Sequence, residues 1–148
     1  MIDRTASGEQ GQTLILVIGY VAIALLAVSA TLAATAVNTE ARRLLSVADG
    51  AVVAAADSFS VAGGGEGAPL DLVLTDAAVR SAAAAYVADT GAPARFDGFA
   101  VLVAAADGDG ATARVRLGAS VRPPIVGWFV PEGIPISVES SARTALER

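Results

Sequence analysis

A chain of 148 residues with a net charge of −5 and neither Cys nor His has no disulfide, no thiolate nucleophile, no imidazole base and few means of holding a transition metal. All 10 basic residues are Arg, so lysine Schiff-base chemistry is absent too, and the acidic balance argues against the basic face that nucleic-acid phosphates require. The length predicts one domain, and the 54% hydrophobic content is high for a chain that lives wholly in water.

The chain opens on a short polar stretch, residues 1–11, with Gly8 and Gly11 giving it loop character. An uncharged apolar run follows, densest from Thr13 to Val37. As a helix at about 1.5 Å per residue it would extend roughly 37 Å, enough to cross a hydrocarbon core of about 30 Å. The spacing predicts a transmembrane helix over residues 12–38. Leu14, Leu16, Leu25 and Leu26 would face lipid or neighbouring helices, and the small residues Gly19, Ala22, Ala30 and Ala33 would permit close helix–helix approach. Its Ser and Thr hydroxyls can return to backbone carbonyls. A rival reading is a cleavable signal peptide, with Ala34-Thr35-Ala36 as a small-residue cleavage site; the helical pattern, however, continues past it.

No Pro occurs before Pro69, and Leu44, Leu45, Ala48, Val52, Ala55 and Phe59 fall at helical spacing opposite Arg42, Ser46 and Asp49. One continuous helix from about Gln12 to Phe59 is predicted, lipid-facing in its first half and amphipathic in its second. The six apolar positions would pack the stalk onto a sheet. Glu40 and Arg43 have ion-pair spacing, and Gly50 inside the helix marks a close backbone approach.

Residues 39–148 form the predicted extracytoplasmic domain. Gly63–Gly67 ends the long helix, and residues 70–74 read as a short extended piece. Thr75 is the expected N-cap of a helix running to about Asp89, stopped by Gly91 and Pro93. The period then changes to two. Phe99, Val101, Val103 and Ala105 alternate with Ala100, Leu102, Ala104 and Ala106; the Asp107–Gly110 segment, DGDG, signals a hairpin turn; Val115, Leu117, Ala119 and Val121 alternate with Arg114, Arg116 and Arg122; and Ile134, Ile136 and Val138 alternate with Ser137 and Glu139. The DGDG turn lacks the ligand spacing of a calcium loop, and the arginine stripe, with Glu139 opposite, reads as a solvated face. Trp128 and Phe129, in a Pro-flanked apolar loop, are either buried beneath it or a surface for lipid or a partner subunit. No catalytic, cofactor-binding or metal-ligating constellation emerges, and no small-molecule substrate is implied.

Glu9-Gln10-Gly11-Gln12 before the apolar run, then Arg42-Arg43-Leu44-Leu45 and Ala48-Asp49-Gly50-Ala51-Val52-Val53-Ala54-Ala55-Ala56, resemble the N-terminal region of the TadE/TadG-like proteins of tight-adherence (Flp) pilus-assembly systems. The resemblance covers about the first 60 residues, and the Ala-, Gly- and Arg-rich composition is of an actinobacterial type. The pattern of elements gives an α+β fold, a long N-terminal helix on an antiparallel sheet of about three strands plus one short helix, and the resemblance implies that it is pseudopilin-like. It further implies a non-enzymatic minor-pilin role in a single-pass bacterial membrane protein, with a cytoplasmic Met1 and an external head. Its partners would be the lipid bilayer and other pilin-like subunits. The chain departs from prepilin peptidase substrates, which carry Glu at the fifth mature position: Thr13 holds that place after Gly8, and Leu16 after Gly11. The alternative is an anchored or secreted binding module unrelated to pili, using the Trp128 loop.

Overall fold

The structure, a computed structural model, describes residues 6–62, 71–123 and 130–143. Helix α1, Ala6–Ala56, is 51 residues long, about 76 Å at the usual rise. It neither breaks nor kinks into another element where the apolar run gives way to charged residues after Val37. Strands β1 (Ser60–Ala62) and β2 (Asp71–Val73) form a small antiparallel ladder. Helices α2 (Asp76–Asp89) and α3 (Ala92–Arg95) follow, then strands β3 (Asp97–Ala106), β4 (Thr112–Val121) and β5 (Ile134–Arg143) in a three-stranded antiparallel sheet of order β3-β4-β5. The fold is therefore α+β, a long N-terminal helix joined to a small antiparallel sheet.

The sheet packs one face against α1 and α2. Val115 and Leu117 in the central strand are fully buried, and Ala113, Ala119 and Val121 complete that face. From α1 come Leu44, Val47, Ala48, Ala51, Val52, Ala55 and Ala56, and from α2 Val79, Ala83 and Val87. Small side chains dominate, so the helices lie close to the sheet. Thr75 caps α2, its side chain accepting from the Ala78 N–H at 3.2 Å. Gly91, at φ 65°, supplies the left-handed residue that ends α2.

Several expectations need correction. Helix α1 ends at Ala56, where the Ser58 hydroxyl and N–H both donate to the Ala55 carbonyl and turn the chain out of the helix. Phe59 therefore lies beyond the helix and is 41% exposed. Leu45 is 38% exposed, because the face meeting the sheet runs through Leu44, Val47 and Ala51, one position off Leu45. Leu44, Ala48, Val52 and Ala55 do line the buried face. Pro93, expected only to stop a helix, sits in the first turn of α3, where its missing N–H costs nothing. In β3 the simple alternation fails: the register shifts between Val101 and Val103, so Val101 opposes inward Leu117 while Val103 opposes outward Arg116 and Ala104 opposes inward Val115. Gly63–Gly67, Trp128 and Phe129 lie outside the described residues.

Candidate functional site

The large apolar side chains of the lower half of α1 are exposed. Leu16 and Leu26 are each 70% exposed, and Leu14 and Leu25 are exposed as well. Its most apolar 18-residue window has a mean hydropathy of 2.5 with 0% of it buried. A helix equally apolar in the core of a soluble protein would be covered. Leaving this many large side chains in water is the costliest arrangement on the molecule, at about 25 cal/mol per Å².

Four of its hydroxyls are satisfied within the helix. The hydroxyls of Ser29, Thr31, Thr35 and Thr39 donate to the carbonyls of Leu25, Ala27, Thr31 and Thr35 at 2.8–2.9 Å. These bonds make the helix acceptable to a medium without water. The long apolar N-terminal helix is thus long and apolar enough to cross a membrane. Gly19, Ala22 and Ala30 are exposed, and a Cβ added at Gly19 would meet open space. Ala33 is half-buried, on the side of α1 that leads up to the head.

Towards the head, α1 acquires partners gradually. Ala36, Val37, Glu40 and Ala41 are half-buried, and from Leu44 onward the same face is fully covered. Ala36, Thr39 and Glu40 form one wall of a cleft of ≈ 430 Å³, opposite Arg95, Phe96, Asp97 and the end of β4 at Ser120–Arg122. The foot of the head therefore reaches the level where the apolar run ends. Glu40 accepts from Arg43 at 2.8 Å, and Asp97 from Arg122 at 2.8 Å.

The outer sheet face is an ion-paired surface. Arg114 reaches Asp107 at 2.9 Å and Glu139 at 3.2 Å; Glu139 also meets Arg116 at 3.2 Å. The Asp107 hydrogen bond, followed by the charges of Asp107 and Glu139, holds the Arg114 guanidinium above its usual value. Such exposed pairs contribute little stability each, but they occupy the arginine stripe. The DGDG carboxylates are likewise employed in the hairpin: Asp109 accepts from the Ala111 and Thr112 N–H groups and from the Thr112 hydroxyl at 2.9–3.1 Å. Among the described residues no buried polar side chain stands in the core.

Beside Gly118, which Leu102 covers, a shallow groove of ≈ 440 Å³ runs over Gly98, Ala100, Pro135 and Ser137. No sequence signal marked either this groove or the cleft at the foot of the head. Both gather residues from strands distant in sequence, and Arg95 lay in what read as a helix stop.

No family model, no curated protein and no solved structure matches the chain.

Proposed function

We propose that this chain is a structural or assembly subunit, minor-pilin or pseudopilin-like, of a tight-adherence pilus, with no enzymatic role. The observation that supports this most is the unbroken α1, which is exposed and apolar over one half and contributes to the core of the head over the other. One rigid rod joining bilayer and head suits a subunit that packs with like helices and presents its head in register. The exposed small residues Gly19, Ala22 and Ala30 favour close approach of such helices. In this reading the head lies outside the cytoplasmic membrane and the N-terminal end of α1 inside.

The test uses the absence of Cys. Single Cys residues at Leu16, Gly19 and Leu26 of the full-length protein are oxidised in membranes of cells expressing the pilus system. Cross-links from Gly19 to itself or to another single-pass pilus subunit, together with loss of surface pili on gene deletion, are the expected results. Normal piliation in the deletion strain would refute the assignment. A second reading, an anchored binding module unrelated to pili, draws on the apolar groove beside Gly118; unchanged piliation with loss of a bound extracellular ligand would favour it.

A further inference from the structure

The cleft at the foot of the head lies at a defined depth. The apolar run ends at Val37, and Glu40 stands three residues further on, about 4.5 Å along the helix axis. The headgroup layer of one leaflet is about 5–7 Å thick, from a hydrocarbon core of about 30 Å within a total of about 40–45 Å. With the outer edge of the hydrocarbon core at the end of the apolar run, a cleft walled on one side by Ala36, Thr39 and Glu40 lies in the headgroup layer. It is large enough, at ≈ 430 Å³, for a phosphate with its glycerol and substituent.

Its charges are unevenly neutralised. Glu40 is engaged by Arg43 and Asp97 by Arg122. Arg95, the last residue of α3, is exposed, lines the cleft, and has no ion-pair partner among the described residues. Guanidinium is the side chain best suited to a phosphate, which it can grip with two parallel N–H···O bonds. We infer that the cleft seats the headgroup phosphate of a phospholipid on Arg95, holding the head at a fixed height and rotation over the bilayer. This rests on the reading of residues 13–37 as a span. The lipid's acyl chains would run down beside Ala36 and the apolar residues below it, where the Thr31 and Thr35 hydroxyls are satisfied within the helix.

The test is native mass spectrometry of the full-length protein, delipidated in mild detergent and titrated with phosphatidylglycerol. The wild type is expected to retain one lipid. Arg95→Gln should weaken that retention about tenfold, the loss of one charge-assisted contact, and Arg95→Lys should recover part of it. Arg80→Gln, on the exposed side of α2, should match the wild type. Equal retention by Arg95→Gln, or displacement of the lipid by inorganic phosphate at millimolar levels, would overturn the assignment, the latter pointing to a free-anion site. Carbonate extraction of the same membranes separates the two readings. If wild type and Arg95→Gln both stay in the pellet yet bind lipid equally, only the headgroup site fails; if the wild type is extracted, the span itself fails.

Discussion

The ring and hydroxyl of Tyr86 on α2 lie directly against the backbone of α1 at Gly50, in the space a Cβ there would need. The contact lets α2 settle close to α1 above the cleft, and it explains a glycine inside a long helix. Gly50→Ala carries the roughly 1 kcal/mol helix-propensity gain of Ala over Gly, but it must displace Tyr86, which packs on the core. In a Tyr86→Ala background the substitution should stabilise the head by about 1 kcal/mol, whereas with Tyr86 present that gain should be absent. A double-mutant cycle of thermal unfolding in detergent reads the coupling, and a cycle that closes with no coupling would show that the two residues do not meet.

Leu44 and Leu45 are neighbours in sequence with opposite fates: Leu44 is 0% exposed and Leu45 38%. Leu44→Ala should cost about 2–5 kcal/mol, as cavity-forming core truncations do. Leu45→Ala should cost about 1 kcal/mol, in line with the smaller apolar area it covers. Val52→Asp places a charge among Val79, Ala83 and Leu117 and should prevent the head from folding. Comparable effects for Leu44→Ala and Leu45→Ala in denaturant titrations would mean that the helix phase is wrong.

The β3–β4 turn should carry a distinct acid sensitivity. The hydrogen bond from the Ala111 N–H, followed by the Thr112 hydroxyl, holds the Asp109 carboxyl below its usual value of 3.8. A carboxyl depressed on folding stabilises the folded state at pH above 3.8, and that contribution is lost as the pH falls through the lower folded-state value. The stability difference between wild type and Asp109→Ala should therefore be constant near neutrality and shrink in acid. A difference that widens below pH 3.8 would contradict the assigned role of the carboxylate.

Much of this architecture was legible because local signals and tertiary packing agree. Thr75 caps the helix it was expected to cap, DGDG turns a hairpin between β3 and β4, and the odd-numbered apolar residues of β4 face inward. What escaped notice has physical causes. In the upper half of α1 the apolar arc is broad and Leu45 lies at its edge, so helical spacing alone does not separate a stripe through Leu45 from one through Val47 and Ala51. The register shift in β3 depends on pairing with β4, which no local pattern encodes. The strand pair β1–β2 is three residues long on each side and too brief to show a period. The cleft at the foot of the head exists only because α3 and the end of β4 return to the level of Ala36, a purely tertiary event.

The central claim is that the apolar half of α1 stays attached to the head and spans a membrane. The most direct check is the intact mass of the protein recovered from cells after alkaline carbonate treatment. The account predicts a carbonate-resistant species whose mass includes residues 13–37 together with the whole head, and release of that species, or failure to insert, when Leu25 and Leu26 are both replaced by Arg, each costing about 2.5–3.5 kcal/mol at the helix centre. Recovery of the wild type as a soluble polypeptide beginning at Val37 would contradict it and identify the apolar run as a removed signal sequence.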